Sequence, residues 1–192
     1  MNKRSALLLV LFVVLAILVV IFFRTSGREE LVKVSAGTSP AGDVRALPEK
    51  PAKTVSLFFL RESDGRLEAE ERSIETNPSL VREAEEALAE LIKGPSGELV
   101  GTVPPETKLG RLFLTKDGTA YVDFSRDLID NHPSGTAAEI STVYAVVDTL
   151  TYNFKSIKRV FILIDGEERE TLNGHIELDR PFLPDYSLIA RR

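Results

Sequence analysis

The sequence predicts an α+β protein: a largely antiparallel sheet built from strand-strand-helix units, with two helices on one face, preceded by one N-terminal transmembrane helix. Three observations predict this architecture. A long apolar run lies near the amino terminus, Asp-Gly pairs stand between strand-like runs, and two later segments repeat their apolar residues with the helical period. Hairpins and helices that follow one another in blocks are typical of α+β folds.

The amino-terminal segment Ala6–Phe23 contains eighteen consecutive apolar residues and follows Lys3 and Arg4. As a helix it spans about 27 Å, close to the thickness of the hydrocarbon core of a bilayer. A cleaved signal peptide is the alternative, but its apolar core is usually shorter, at about 7–15 residues. We therefore predict a cytoplasmic leader over residues 1–4 and a single-pass transmembrane anchor over residues 5–23. The rest of the chain is then extracytoplasmic, in a periplasm or at the cell surface.

The segment after the predicted anchor, residues 24–53, is rich in Gly, Pro, Ser and Thr and has no aromatic residue. It cannot bury enough apolar surface to offset its ordering entropy, so we predict a flexible linker followed by one domain over residues 54–190. The formal net charge of −5 argues against a nucleic-acid partner. The absence of cysteine excludes disulfides, a lipid-attachment site and thiolate metal sites.

Strand-like runs flank three Asp-Gly pairs, which are strong signals for hairpins with type I′ turns. The pairs are Asp64-Gly65, Asp117-Gly118 and Asp165-Gly166, and the runs before them are Val55–Leu60, Leu112–Leu114 and Val160–Ile164. After the second pair, Ala120, Val122 and Phe124 alternate with polar or amphipathic residues, as in a strand with one buried face. The uniformly apolar run Val160–Ile164 predicts a central strand that is covered on both faces.

The first helix is predicted from Asn77, as its N-cap, with Pro78 at the first helical position. Gly94-Pro95 ends it. Its buried stripe comprises Leu80, Ala84, Ala87, Leu88, Leu91 and Ile92.

The second helix is predicted to begin at Thr136-Ala137-Ala138-Glu139, which has the pattern of a capping box. Its apolar residues then follow the 3.6-residue period: Ile140, Val143, Tyr144, Val147, Leu150, Thr151 and Phe154. The order strand-strand-helix therefore occurs twice, before a third predicted hairpin.

Catalysis has few candidate residues. Only His132 and His175 could serve as the base of a hydrolytic triad, and both lie in predicted turns, away from any G-x-S-x-G nucleophile motif. Ser125 and Ser134 are interpreted as turn or cap residues. We predict no catalytic residue, and two histidines so far apart also predict no metal site and no cofactor.

Two acidic runs remain. Asp165-Gly166-Glu167-Glu168 could bind a cation or supply an acid–base pair, as in glycoside hydrolysis. Residues at the tip of a hairpin point into solvent, so we interpret this run, together with Arg169 and Glu170, as charges that protect an exposed edge. The run Glu68, Glu70, Glu71 and Arg72 receives the same interpretation.

The order of these segments resembles the GerMN domain, the module of the spore germination and sporulation protein GerM. The similarity covers about residues 53–189. It rests on Val55–Phe59, Ala89–Pro95, Val103–Leu109, Ala120–Ser125, Val143–Thr151, Ile162–Glu167 and Gly174–Ile176. This chain differs from GerM in having one such domain rather than two in tandem, and an apparent transmembrane anchor rather than a lipidated cysteine.

The resemblance implies a non-catalytic extracytoplasmic domain, with a fold similar to ring-building motifs, that supports an envelope complex. We therefore expect a scaffold that binds another envelope protein or its own copies. Binding of peptidoglycan is the alternative, and a carboxylate-dependent hydrolase is a third class. Against peptidoglycan, the chain has no Trp and four tyrosines: Tyr121, Tyr144, Tyr152 and Tyr186. Of these, Tyr144 is predicted to be buried, whereas sugar-binding faces use exposed aromatic rings.

Overall fold

The structure is a computed structural model, and it describes residues 51–190. The predicted anchor over residues 5–23 and nearly all of the predicted linker lie outside these residues. Within residues 51–190, no helix is both long enough and apolar enough to cross a membrane. The described residues form an α+β fold with few helices, as the sequence predicts.

Five strands and three α-helices make up this fold. In chain order they are β1 (Ala52–Arg61), β2 (Arg66–Glu75), α1 (Leu80–Ile92), β3 (Leu109–Leu114), β4 (Thr119–Phe124), α2 (Asp127–Asp130), α3 (Thr136–Asn153) and β5 (Arg159–Ile164). A single 3₁₀ turn, Tyr186–Leu188, lies near the end of the described residues. The predicted strand-strand-helix order is present twice, with the short helix α2 inserted in the second unit.

The strands form two sheets rather than one. The first is the antiparallel hairpin β1–β2, and the second has the order β3–β4–β5. Strands β3 and β4 are antiparallel, whereas β4 and β5 are parallel, with Thr119 opposite Arg159 and Phe124 opposite Ile164. The parallel pair arises because α3 carries the chain back to the end of the sheet where β4 begins. The predicted largely antiparallel pairing is therefore confirmed, but the prediction of one sheet is wrong, and the β4–β5 pair is parallel.

Strand β5 is not the central strand that its sequence predicts. It is the last strand of its sheet, and within residues 51–190 the isolated bridges from Val160 to Phe182 and from Ile164 to Glu167 lie beyond it. Its side chains are nevertheless covered on both faces, since Val160, Ile162 and Ile164 are buried on one face and Phe161 is buried on the other. Burial on both faces explains the apolar sequence without a central position.

The third predicted hairpin does not form. Ile164 and Glu167 exchange backbone hydrogen bonds of 2.9 and 3.0 Å around Asp165-Gly166, but no second strand follows. This turn has positive φ at both central residues, as a type I′ turn requires. The other two Asp-Gly pairs close longer loops, and positive φ occurs there only at Gly65 and Gly118.

Helix α1 begins two positions later than the sequence predicts. Ser79 is at the N-cap, while the side chain of Asn77 accepts the N–H of Ser79 at 2.9 Å and closes a local turn. Glu83 reaches back to accept the N–H of Asn77 at 2.9 Å. The C-terminal prediction is confirmed, because Gly94 follows the last turn with φ of 85°. The predicted stripe is confirmed as well, since Ala84, Ala87, Leu88 and Leu91 are buried, with Leu80 and Ile92 packed against them.

Helix α3 begins at Thr136, but the predicted capping box does not form. Gly135 occupies the N-cap and no side chain caps the first turn. Glu139 instead turns away from its own helix and is buried against the loop that follows β5. The apolar stripe is confirmed at Val143, Val147 and Leu150.

The two long helices do not lie on one face of one sheet. Helix α1 packs against β1, β2 and β3, and α3 packs against β1 and β5, so both helices contact strands of both sheets. The helices also pack against each other. A continuous core results, which includes Leu57 and Phe59 of β1, Val122 of β4 and Ile162 of β5.

Two turn glycines permit a matched test of this fold. Both Gly118 and Gly166 have positive φ, so Gly→Ala at either position should cost about 1–2 kcal/mol of unfolding free energy. At Gly118 a Cβ atom would also lie 2.9 Å from the carbonyl oxygen of Ser156, whereas at Gly166 it meets open space. We expect Gly118→Ala to cost about 1–3 kcal/mol more than Gly166→Ala, measured by urea denaturation. Equal losses would contradict the close approach of the two loops.

Candidate functional site

The outer edge of β1 is covered by the chain itself. The side chain of Asn153, at the end of α3, accepts the N–H of Ser56 at 2.9 Å and donates to the Ser56 carbonyl at 2.7 Å. The hydroxyl of Thr149 accepts the N–H of Phe58 at 3.3 Å. Leu60 exchanges two backbone hydrogen bonds with Val100. The backbone groups of Ser56, Phe58 and Leu60 therefore point away from β2, and each of these residues forms a hydrogen bond on that side.

The outer edge of β2 follows from the hairpin register. Residues directly opposite one another in an antiparallel pair point their backbone groups the same way, either both inward or both outward. Ala69 lies opposite Phe58, Glu71 opposite Ser56 and Ser73 opposite Thr54, so these β2 residues point outward. We call Ala69, Glu71 and Ser73 the open edge. Within residues 51–190, their backbone groups have no backbone hydrogen-bond partner on the outer side.

A segment of the same chain already pairs with the start of this edge. Ile189 forms a parallel bridge with Leu67, and the N–H of Ala190 donates to the Leu67 carbonyl at 2.7 Å. The segment that reaches this point also binds α3, since the hydroxyl of Tyr186 donates to Thr151 at 3.2 Å. Leu67 is therefore the one outward position of β2 that is paired by another extended segment within the described residues.

A groove runs beside the open edge, on the face of the hairpin that carries Phe58. Its volume is about 330 Å³, and we call it the hairpin groove. Tyr152 forms one wall, with 47% of the residue exposed, and its ring meets Phe58 edge-to-face at 5.4 Å and Tyr186 at 6.0 Å. The lining residues are Ser56, Phe58, Arg61, Glu68, Ala69, Glu71, Tyr152, Ile189 and Ala190.

The charged residues of the groove differ in whether they form ion pairs. Arg61 is held by Asp64 at 2.6 Å and by Glu68 at 3.1 Å. Glu71 is exposed and forms no ion pair within the part of the chain that the structure describes. Among the residues that the structure describes, Glu71 is therefore the one carboxylate of the groove without an ion-pair partner, and it lies on the open edge itself.

The acidic run in β2 is only partly the exposed surface that the sequence predicts. Arg72 binds Glu70 at 2.6 Å, Glu90 of α1 at 3.1 Å and the carbonyl of Gly94 at 2.8 Å, and these side chains are mostly buried. Burial would raise the pKa of the Glu70 carboxyl, but Arg72 and the N–H of Ser96 hold it below its usual range. Glu70 and Arg72 thus attach the hairpin to the end of α1, and Glu71 faces the groove.

Neither histidine belongs to a triad within residues 51–190. His132 is buried, with Nε2 2.8 Å from the hydroxyl of Thr142 and Nδ1 2.6 Å from the Pro133 carbonyl. His175 places Nδ1 2.6 Å from Oε1 of Glu139. Ser125, one of the two serines considered as nucleophiles, donates to Asp127 and accepts the N–H of Lys108. Both histidines lie in turns, as predicted, but His132 is part of the core.

Glu139 is a residue that sequence reasoning assigned to the wrong role. Its carboxylate is fully buried and accepts the N–H groups of Asn173, His175 and Ile176 at 2.9–3.3 Å. Burial would raise the pKa of this carboxyl, yet the hydrogen bonds, led by that from Ile176, hold it below its usual range. Glu139 therefore fixes the loop after β5, and its pairing with His175 is structural.

The acidic turn after β5 is exposed, as predicted, and contributes hydrogen bonds to the fold. Asp165 accepts the N–H of Arg126 at 3.2 Å, and Asp123 accepts the N–H of Gly166 at 2.7 Å. Among residues 51–190 no group of three or more His, Asp or Glu side chains is placed to hold a metal ion.

Asp148 was missed by the sequence analysis, because it is a single carboxylate among the apolar residues of α3. It is fully buried, accepts the N–H of Asp185 at 3.1 Å through Oδ1, and has no hydrogen-bond partner at Oδ2. Burial raises its pKa to about 7, with a smaller contribution from the nearby Asp185 carboxylate. Asp148 contacts the same carboxy-terminal segment that lines the hairpin groove.

This chain is similar to one known protein family and to several solved structures. A sequence profile described as "Germane: Sporulation and spore germination" matches residues 56–170. A candidate lipoprotein from Clostridium perfringens is 24% identical, with a TM-score of 0.51 over 69% of this chain and 87% of that one. A search of curated proteins found no match.

Two structures of the sporulation protein GerM from Bacillus subtilis are also similar. Its tandem GerMN domains are 22% identical, with a TM-score of 0.54 over 69% of this chain and 46% of that one. Its first GerMN domain is 24% identical, with a TM-score of 0.52 over 69% of this chain and 97% of that one. This chain thus matches less than half of the tandem protein, and at such identities the likeness shows the fold alone.

The buried carboxyl of Asp148 makes stability depend on pH. The unfolded chain releases this proton near pH 4, whereas the folded protein retains it to about pH 7. Stability should therefore be highest below about pH 4 for this group and fall as pH rises to about 7. The free energy of unfolding of Asp148→Asn minus that of the parent should therefore rise by up to about 4 kcal/mol between about pH 4 and pH 8, measured by urea denaturation.

The matched control is Asp179→Asn, which changes an exposed carboxylate. Its stability relative to the parent should stay constant over the same pH range. A pH-independent difference for Asp148→Asn would show that Asp148 is ionised in the folded protein.

Proposed function

Since this chain belongs to the Germane family of sporulation and spore germination proteins, we propose that it is a membrane-anchored, extracytoplasmic interaction module of a cell-envelope complex. One observation carries the proposal. In residues 51–190 both histidines and the buried acids Glu139 and Asp148 are held by contacts within the fold, while an open strand edge and an aromatic groove face solvent.

The envelope location is supported by the amino-terminal sequence and by the nature of the similar proteins. The apolar run Ala6–Phe23 is long enough to span a bilayer as a helix. One similar structure is a candidate lipoprotein and another is a sporulation protein. A domain on such an anchor acts by position and contact at the membrane surface.

The non-catalytic role is supported by the hydrogen bonds of the ionisable residues. An acid or base that takes part in catalysis must reach a substrate proton, directly or through one water molecule. Asp148 is enclosed by the fold, and the carboxylate of Glu139 is occupied by three backbone N–H groups and by His175. Both carboxylates therefore form hydrogen bonds within the fold, and neither is exposed to a substrate in solution.

A cell-wall polymer is the alternative partner, and one observation favours it. Phe113, Tyr121 and Phe161 lie opposite one another on adjacent strands of the second sheet, so their rings form a row across β3, β4 and β5. Tyr121 and Phe161 are stacked with centroids 5.3 Å apart, and 54% of Phe113 is exposed. Sugar rings stack on exposed aromatic residues of this kind. The exposure of Phe113 was not predicted from the sequence.

A test of placement uses the full-length protein in its own membranes. If residues 5–23 are a retained anchor, the protein should resist extraction by alkaline carbonate, and protease added outside should digest the domain. A soluble, shortened protein that begins within residues 24–53 would contradict anchoring. Replacement of residues 5–23 by an unrelated transmembrane helix should preserve function, because the helix supplies only location.

A test of function compares three substitutions in cells. His175→Asn and Glu167→Gln should leave spore formation or germination and the captured envelope partners at parental levels, because neither residue is assigned a catalytic role. Tyr152→Ser should reduce in-cell crosslinking to the envelope partner by about tenfold, since truncating a central aromatic residue of an interface typically costs that much or more.

Phe113→Ser is the matched control, because it removes an exposed aromatic residue from the other sheet. It should leave partner crosslinking unchanged. Loss of binding to purified cell walls in Phe113→Ser, with parental protein crosslinking in Tyr152→Ser, would favour the cell-wall alternative. Loss of cellular function in His175→Asn at normal abundance and stability would reopen the enzyme hypothesis.

A further inference from the structure

We propose that the open edge of β2 binds an extended segment of another envelope protein as an added β-strand, with a Lys or Arg of that segment facing Glu71. The inference rests on the proposed interaction function and names its contact and the chemistry of its partner. Two observations support it. The outward backbone groups of β1 have hydrogen-bond partners whereas those of the open edge have none within residues 51–190, and Glu71 of the hairpin groove has no ion pair among the described residues.

The two edges of the β1–β2 hairpin differ in their backbone hydrogen bonds. Ser56, Phe58 and Leu60 of β1 have outward partners supplied by α3 and by Val100. Ala69 and Glu71 of β2 lie directly opposite two of these residues but have no outward backbone partner within residues 51–190. Unpaired N–H and C=O groups in a row are a template for another strand.

The open edge is long enough and accessible enough to pair with another strand. Ala69 to Ser73 spans five residues, or about 17 Å, the length of an ordinary strand. The bridge between Ile189 and Leu67 shows that an extended segment fits against this side of β2. Glu71 and Ser73 are exposed, so the next positions along the edge are accessible.

Alternate residues of an added strand would point into the hairpin groove, beside Phe58, Tyr152 and Ile189. An apolar residue of the partner suits those three side chains. Its neighbour two positions along would lie near Glu71, where an opposite charge on an adjacent strand is favourable.

The charged residues of the hairpin favour a cationic side chain on the partner. Arg61 is already neutralised by Asp64 and Glu68, and Arg72 is neutralised by Glu70 and Glu90 on the other face of the hairpin. Glu71 alone of the charged groove residues lacks an ion pair among the described residues. A cationic side chain is therefore the complement that this surface lacks.

A second copy of this chain is a poorer occupant. Two β2 edges that paired antiparallel about their centres would place Glu71 of one copy opposite Glu71 of the other, and like charges directly opposite one another are destabilising. The observations therefore favour a different protein over self-pairing at this edge.

The test uses two synthetic peptides of alternating Val and Thr, one with Lys and one with Glu at the centre. Binding of each labelled peptide to the full-length protein in detergent is measured by fluorescence anisotropy at low salt. We expect the Lys peptide to bind about tenfold more tightly than the Glu peptide, and Glu71→Lys to reverse this preference. Glu71→Gln should abolish the preference without adding a positive charge.

Two controls separate strand addition from general attraction. Glu62→Lys makes the same charge change at an exposed position of the β1–β2 turn, and it should leave the preference intact. N-methylation of alternate amides of the Lys peptide, on the side that faces β2, should abolish binding, because it removes the donors to the open edge.

Because the chain has no native cysteine, the position of the peptide can be mapped with single thiols. A Lys peptide with a terminal Cys should form a disulfide with Ser73→Cys and not with Ser63→Cys, which lies in the exposed turn. Disulfide-linked pairs of the Ser73→Cys protein, formed without peptide and more readily than those of Ser63→Cys, would show that a second copy occupies the edge and would overturn the proposal.

Equal affinity of the two peptides, binding of neither peptide, or an unchanged preference in Glu71→Lys and Glu71→Gln would also overturn it. The proposed function is tested separately by partner capture in cells. If the parent still crosslinks an envelope protein while the peptides fail, only this inference is wrong. If the parent captures no envelope protein, the proposed function itself is wrong.

Discussion

The fold depends on hydrogen-bond satisfaction of the polar side chains carried by helix α3. Most of this helix is buried, and it contacts strands of both sheets, so its buried polar groups cannot rely on water, and each one left unpaired would cost about 1–3 kcal/mol. Glu139 therefore binds the loop after β5, Thr142 binds the carbonyl of Thr102, and Asn153 binds the edge of β1. One helix thus fixes three segments that are distant in sequence.

This constraint also explains the asymmetry of the hairpin. Asn153 and Thr149 project from α3 toward β1 and serve its outward backbone groups, so that edge is closed to other strands. No described element supplies equivalent groups to Ala69 and Ser73 of β2. Charged side chains on an edge strand normally oppose its pairing with another chain. Glu71 opposes the pairing of neutral or acidic strands in this way, whereas a basic strand can neutralise its charge. Protection and partner choice can therefore reside in the same residue.

One buried group of α3 is incompletely satisfied. Burial raises the pKa of Asp148 to about 7, because the single N–H donated by Asp185 offsets the loss of hydration only in part. The position of Asp148 under the carboxy-terminal segment lowers stability at neutral pH relative to an uncharged residue. Thr151 and Leu67 hold the same segment at two further points, so the wall of the hairpin groove does not depend on Asp148 alone.

Local features were accessible from the sequence because they depend on neighbouring residues. The α+β class, the stripes of the two long helices, the glycine that ends α1 and the turn at Asp165-Gly166 all follow from periodicity and backbone conformation. The GerMN-like order of these segments was equally legible. The two histidines were correctly placed in turns, although the burial of His132 was not foreseen.

Other features were decided by tertiary structure. Glu139 fits the sequence pattern of a capping box, but three N–H groups from residues 173–176 compete for the same carboxylate and prevail. Nothing near Asp148 or Asn153 in the sequence indicates which backbone groups they will meet. The parallel pairing of β4 with β5 and the open edge of β2 were equally inaccessible, because strand pairing depends on how α3 crosses the sheets. The sequence by itself determined most of the elements that form, because they depend on neighbouring residues, and long-range hydrogen bonding determined which strand edges stay unpaired within residues 51–190.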